Sequence, residues 1–199
     1  MLKAHFTIPY PAFIERLCVA ILLAYRLRHY GFTFRLIPLT QGQFAIVDPQ
    51  DFEELNKFGW YAKKHRNTFY AVRSVRENGR HITINMHRVI LQAPAGSIID
   101  HENRTGTDNR RINLRFATPA QNASNRAKIH GLGSSIYKGV KRDGGKWRAG
   151  ITHNCLREHL GFFDNEIDAA KAYDKAAMLY HKEFAVLNFP NDPQIKTVA

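Results

Sequence analysis

Short apolar runs separated by turn residues fill most of this chain, and two stretches break the pattern with a helical repeat. Phe44-Ala45-Ile46-Val47 has the length of a strand, and Asp48-Pro49 after it has the residue order of a helix start, with Asp51, Glu53 and Glu54 near the positive helix end. Further strands are predicted around Trp60-Tyr61, over 69–75 and over 81–86, where Ile82, Ile84 and Met86 alternate with polar residues. Glu77-Asn78-Gly79 supplies a hairpin turn between the last two. Residues 39–86 thus read as a small α/β module, with Trp60 and Tyr61 as core residues. Ahead of it, Leu17 to Tyr25 are nine uninterrupted apolar residues, against the roughly twenty that a bilayer span needs. Glu15 and Arg16 precede the run without a small-residue cleavage site, so a signal peptide fits poorly. Residues 1–38 read as an apolar and basic helical segment. It is either buried or partner-packed, or it lies on a membrane surface beside Arg26, Arg28 and Arg35.

The densest chemistry lies further on. Ser97-Ile98-Ile99 is a β-branched run that places Asp100 and His101 at or just past a strand end. A polar, turn-rich loop follows through Asn109, and the alternation over 112–116 predicts a second strand. Thr118-Pro119-Ala120-Gln121 is a capping box with proline at the first helical position, so Asn122 lies in the first turns of a helix and its side chain can turn back toward Asp100. Hydrolysis of a phosphodiester needs an activated water and a cation at the scissile phosphate. An Asp carboxylate and an Asn carbonyl are oxygen ligands of the kind Mg2+ takes, and a His that titrates near neutrality suits a general base. Asn113, between the ends of the unit, suits a positional role on the loop backbone. His87 opens the unit and reads as structural.

Residues 129–135, with two glycines and two serines, form a linker. Beyond it, short strands are predicted over 136–141, 146–151 and 157–163. A helix over 165–181, capped by Asp164, follows them. Its stripe of Ala169, Ala170, Tyr173, Ala176, Ala177 and Tyr180 packs on a sheet.

Composition narrows the partner. Lys and Arg number 29 against 17 acidic residues, a formal net charge of +12, which favours a polyanion. Six basic and two acidic residues fall in 101–133, putting Arg104, Arg110, Arg111, Arg115, Arg126 and Lys128 around the candidate site. Residues 134–159 again hold six basic and two acidic side chains, whereas 160–190 hold three basic and five acidic, so the sheet and not the helix would face DNA. Two distant cysteines and scattered histidines speak against structural zinc or a disulfide framework and suit a reducing cytoplasm.

The string DHENRTGTDNRRINLRFATPAQNASN resembles the ββα-metal core of HNH nucleases, in particular phage-type homing endonucleases that carry Asn for the last His. The resemblance spans 87–128, with Glu102 at a position where the family often has an apolar residue. It implies that Asp100 and Asn122 hold one divalent ion, Mg2+ or Mn2+, that His101 activates water, and that Asn113 is the structural middle residue. YKGV, KWRAGI, REHLGFFDNEIDAAKAYDKAA and FAVLNFP are similar to the Apetala/ethylene-response-factor DNA-binding domain over 136–190, a three-stranded sheet that enters the major groove. That likeness implies DNA contacts by Lys138, Lys141, Arg142, Lys146, Trp147, Arg148, Arg157 and His159, although Gly150 and Thr152 stand where charged contacts are usual and His159 replaces a Trp.

The expected fold class is α+β: a small α/β module, a ββα-metal core, and a three-stranded antiparallel sheet packed on one helix, ending in a tail over 191–199. The expected function is metal-dependent cleavage of double-stranded DNA by a homing-type nickase or double-strand cutter. It would act as a monomer or weak dimer, without a small-molecule cofactor or transmembrane segment, in the cytoplasm of a prokaryotic or phage-infected cell. The alternative is a non-catalytic DNA-binding regulator with a relic HNH core. An RNA-directed protein is a second rival that charge alone does not separate.

Overall fold

The apolar run near the start of the chain is helical, and none of its side chains is buried. In the computed structural model, α1 (Ala12–Tyr30) leaves Phe13, Leu17, Ile21 and Tyr25 exposed. The structure describes residues 12–129, 131 and 133–193. Residues 1–11 of the N-terminal segment, 130 and 132 of the predicted linker, and 194–199 of the tail lie outside it. No helix among the described residues is long and apolar enough to cross a membrane.

The chain divides into two units, and the division is discontinuous. The first runs to Met86 and also takes in Thr107–Arg111; the second holds His87–Gly106 and everything from Ile112 on. In the first unit, β1 (Arg35–Pro38) pairs antiparallel with β2 (Phe44–Val47), and α2 (Pro49–Asn56) follows. A three-stranded antiparallel meander comes next: β3 (Tyr61–His65), β4 (Thr68–Glu77) and β5 (Arg80–Asn85). Asn78 and Gly79 both take positive φ, 48° and 75°, which is the twist that a tight antiparallel hairpin demands. Ile37, Val47, Phe52, Leu55, Trp60, Ala62 and Val72 are among the buried apolar residues of this unit, and Trp60 donates its indole N–H to the Leu55 carbonyl at 2.8 Å. Asp48 occupies the N-cap of α2, but its side chain makes no cap bond; it accepts the Arg111 backbone N–H at 2.7 Å. The 107–111 segment is hydrogen-bonded along β2: Ile46 N–H donates to Thr107, and Asn109 N–H donates back to Ile46 at 2.7 Å.

In the second unit, α3 (Met86–Ile90) leads to β6 (Ile98–His101), which pairs antiparallel with β7 (Leu114–Ala117); α4 (Pro119–Ser124) follows directly. The strand predicted over 112–116 starts two residues late. Arg111–Asn113 form a 3-10 turn in which Ile112 is 83% exposed, because the Asn113 side chain and carbonyl both bond the loop. The helix start at Thr118 is as read: Gln121 N–H donates to the Thr118 hydroxyl and Thr118 N–H to the Gln121 amide oxygen.

The remainder is a sheet of β8 (Val140–Asp143), β9 (Lys146–His153) and β10 (Leu156–Phe163), with α5 (Glu166–His181) against it and a 3-10 turn at Lys182–Phe184. Its first strand covers 140–143 and not 136–141. Gly139 takes φ +77° beside the buried ring of Tyr173, so the extended conformation cannot begin before Val140. Asn165 and not Asp164 caps α5, its side chain accepting the Ile167 N–H at 2.8 Å. Ala169, Ala170, Tyr173, Ala176 and Ala177 are buried on the sheet, while Tyr180 leaves the stripe and stacks on His153 with ring centroids 3.9 Å apart. Buried Asp174 ties the chain after α5, accepting from the Asn188 and Phe189 backbones, each at 2.8 Å.

The hairpin between β9 and β10 turns on Asn154 and Cys155, at φ 47° and 62°. A left-handed conformation is unfavourable for cysteine and free for glycine, and Cys155 is exposed. Cys155→Gly is therefore expected to raise stability by about 0.5–1 kcal/mol, measured by urea unfolding.

Candidate active site

Asp100 and His101 are the last two residues of β6, and both are buried, at 5% exposure. Antiparallel register sets Arg115 of β7 directly opposite Asp100 and Leu114 opposite His101. Directly opposed side chains on one sheet face meet, so the Arg115 guanidinium engages the carboxylate. Its Nε donates to Asp100 Oδ2 at 3.0 Å and one terminal nitrogen lies 2.9 Å from the same oxygen. From the other side comes Asn125, the residue that ends α4. Its Nδ2 lies 2.9 Å from each Asp100 oxygen and also donates to the His101 carbonyl at 2.9 Å. A buried amide shared between the carboxylate and the strand-end backbone fixes both.

The loop after the strand is pinned at one point. Asn113, itself buried, accepts the Asn103 backbone N–H at 2.9 Å through its side-chain oxygen, and its carbonyl accepts Glu102 N–H at the same distance. The His101 ring meets the His87 ring edge-to-face, with centroids 5.1 Å apart. Burial first, then the neighbouring His101 and Arg88, push the His87 pKa down from its ordinary 6.5 to about 3, so that ring is neutral at physiological pH. The folded state refuses a proton that the unfolded chain takes up below about 6.5. This part of the stability is whole above pH 6.5 and drains away as pH falls toward 3. His87→Leu is expected to lose less stability than wild type across that window, by a few kcal/mol, when urea unfolding is followed against pH.

Asn122 sits in the first turn of α4, half-buried, its N–H bonded to the Thr118 carbonyl. Among the described residues, Asp100 Oδ1 accepts from the Asn125 amide alone, while Oδ2 accepts from both Arg115 and Asn125. Among the described residues no group of three or more His, Cys, Asp or Glu could hold a metal ion, so Asp100, on a strand packed against the helix that carries Asn122, would need Asn122 and water as co-ligands.

The basic residues read as DNA contacts fall into distinct environments. Arg104 and Arg126 are exposed. In the first unit, Arg110 is paired with Asp108 at 2.6 Å and Arg111 with Asp51 at 2.7 Å; these side-chain bonds raise both guanidinium pKa values above the usual. Arg115 is spent on Asp100, on the Glu183 carbonyl at 2.7 Å and on the Phe184 ring, 3.8 Å from its Cζ. Lys138 donates to the Ser124 carbonyl at the end of α4. Burial, with nearby Arg104 adding, lowers its pKa to about 8.

Strand periodicity sorts the rest. Lys141 pairs with Arg148, Arg148 with Phe162 and Thr152 with Arg157, so Lys141, Lys146, Arg148, Arg157, His159 and Phe162 share the sheet face away from α5. Trp147 packs into the core beneath α5, and Arg142 lies over it, 5.1 Å from the ring centroid. Asp143 tempers the open face, 3.3 Å from Arg148.

In its second unit this chain carries two α+β parts, a strand–loop–strand–helix unit with an Asp-His pair and a three-stranded sheet backed by one helix. No protein-family model matches it. It is similar to an uncharacterized HNH endonuclease of Acanthamoeba polyphaga mimivirus, 28% identical over 162 residues, which are 78% of this chain and 80% of the relative. It is also similar to an AP2/ERF and B3 domain-containing protein of Oryza sativa subsp. japonica, 47% identical over 58 residues. That stretch is 29% of this chain and 16% of the relative. An AP2/ERF and B3 domain-containing transcription factor of Arabidopsis thaliana is 42% identical over 64 residues, 32% of this chain and 19% of its own. The chain thus spans most of the viral relative and under a fifth of these plant proteins.

Proposed function

We propose that the chain is a metal-dependent DNA endonuclease of HNH type, of the homing kind, directed to its target by the sheet of β8, β9 and β10. The carrying observation is the pair Asp100 and His101, buried side by side at the end of β6 and braced by Asn113, Asn125 and Arg115. The relationship to a viral HNH endonuclease supports the chemistry, and the AP2/ERF relatives support DNA as the partner.

In this reading His101 accepts a proton from a water aligned with the scissile phosphorus, and the neutral ring of His87 holds the imidazole in place. Asp100 and Asn122 would hold Mg2+ or Mn2+, which would supply stabilisation of charge on the phosphate and on the departing 3′ oxygen. Arg148 and Arg157 on the open sheet face suit direct readout of guanine, and Lys141 and Lys146 suit phosphates. One site per chain predicts nicking by a monomer and double-strand cleavage only by a pair.

A second reading, a DNA-binding regulator with a silent nuclease core, draws on one observation: Asp100 Oδ2 is already neutralised by Arg115. The two separate on supercoiled plasmid with Mg2+, Mn2+ or chelator. Metal-dependent nicking that disappears in Asn122→Ala supports the enzyme. Duplex binding without cleavage under any metal supports the regulator. Sequencing the cut ends from a plasmid library then defines the target.

A further inference from the structure

Arg115 joins two parts of the second unit that the sequence reading keeps apart. One end of its guanidinium grips Asp100 Oδ2, and the other donates to the Glu183 carbonyl at 2.7 Å, with the Phe184 ring stacked beneath. Glu183 and Phe184 belong to the 3-10 turn that closes the sheet domain after α5, and Phe184 is 4% exposed. That turn is therefore a fixed platform and not a loose loop. A second contact runs the same way: Lys138, just before β8, donates to the Ser124 carbonyl at the end of α4, next to the Asn125 amide that holds Asp100.

We propose that the sheet domain sets the geometry of the nuclease centre through Arg115, which is a positioning residue for Asp100. The inference rests on the nuclease reading above. Clamping Oδ2 fixes the carboxylate plane and leaves Oδ1 as the oxygen that would serve a divalent ion. A guanidinium also repels a nearby divalent cation, so its presence there serves geometry and not attraction. The 183–184 turn holds the guanidinium from behind, so docking of the sheet domain and competence of the site are coupled. A carboxylate whose partner is lost typically weakens metal binding or turnover by about ten- to a hundredfold.

The test uses the full chain with Arg115→Lys, Phe184→Met and the double variant. Three quantities are read: duplex-DNA affinity without metal, kcat and KM for plasmid nicking, and the half-saturating Mn2+ concentration from electron paramagnetic resonance. Arg115→Lys keeps the charge and loses the fork. It is expected to lower kcat and raise half-saturating Mn2+ about tenfold or more, with DNA affinity within about twofold of wild type. Phe184→Met should move both in the same direction by a smaller factor, and the double variant should be no worse than Arg115→Lys, because both act along one path. If Phe184→Met lowers the melting temperature, Lys138→Met, which severs the other contact, should still raise half-saturating Mn2+. Fully additive losses, an unaltered Mn2+ titration in Arg115→Lys, or weakened DNA binding at wild-type kcat would each overturn the proposal; the last would make Arg115 a direct phosphate contact. A wild-type chain that binds Mn2+ but does not nick overturns the nuclease reading, while the Mn2+ titrations still decide the role of Arg115. One that neither binds Mn2+ nor nicks overturns both.

Discussion

A His101→Ala variant is expected to lose plasmid nicking by a factor of about a hundred to ten thousand while binding duplex DNA as wild type does. The loss follows from the role: no other imidazole has the same place at the end of β6, and His87, whose ring touches it, is held neutral with a pKa near 3 by burial. A base with so low a pKa is too weak to take over. The retained binding follows from position, since the open sheet face that carries Lys141, Lys146, Arg148 and Arg157 lies in β8, β9 and β10 and not in β6. The ring is buried and part of a packed pair, so His101→Asn serves as the companion variant that leaves a smaller hole. Turnover of both near the wild-type rate with Mg2+ would remove His101 from the mechanism.

Gly139→Ala is expected to be the most damaging single methyl in the C-terminal sheet domain. A Cβ at that position would lie 1.9 Å from Tyr173 Cδ2 and 2.4 Å from Cε2. Tyr173 is 3% exposed and packed among Ile151, Ala176 and Ala177, so the ring has nowhere to go. The backbone adds its own strain, because φ +77° is a left-handed conformation and the Gly139 carbonyl is tied to the Gly150 N–H at 2.9 Å. Left-handed strain of about 1–2 kcal/mol and overpacking of about 1–3 kcal/mol give an expected loss of roughly 2–5 kcal/mol, seen as a lower urea midpoint. A loss below about 1 kcal/mol would mean that the helix yields and that the packing of Tyr173 is softer than its burial implies.

Much of this architecture is written in local signals. The four-residue run at 44–47, the Asn78-Gly79 hairpin and the Thr118–Gln121 capping box each act over a few residues, and each is found where the pattern puts it. The site is legible only in part, because its bracing comes from register. Nothing local reveals that Arg115 faces Asp100; that needs β6 and β7 paired with His101 opposite Leu114. Asn125 escapes the reading because an Asn just past a short helix passes for a plain cap, which its backbone is, and nothing local shows that its buried amide also holds Asp100. Trp147 is different, since the signal was present. Trp147, Ala149 and Ile151 alternate with Lys146, Arg148, Gly150 and Thr152, and period two alone sends the tryptophan inward with the other apolar residues. The family likeness implies a DNA contact there, against the residue's own periodicity. Arg110 and Arg111 show a different gap: a charge count cannot tell an arginine facing solvent from one already paired with Asp108 or Asp51.

The segment 107–111 completes the first unit from twenty residues beyond its main body, hydrogen-bonding along β2 and delivering Arg111 to Asp48 and Asp51. A chain cut at residue 86 therefore bares the Ile46 backbone and leaves two carboxylates without their arginine. During synthesis the N-terminal unit must wait for residue 111 to leave the ribosome before it can close, by which time β6 and the Asp-His pair have already emerged. The place where this protein looks divisible in sequence is thus a place where neither a truncated fragment nor the folding chain divides cleanly.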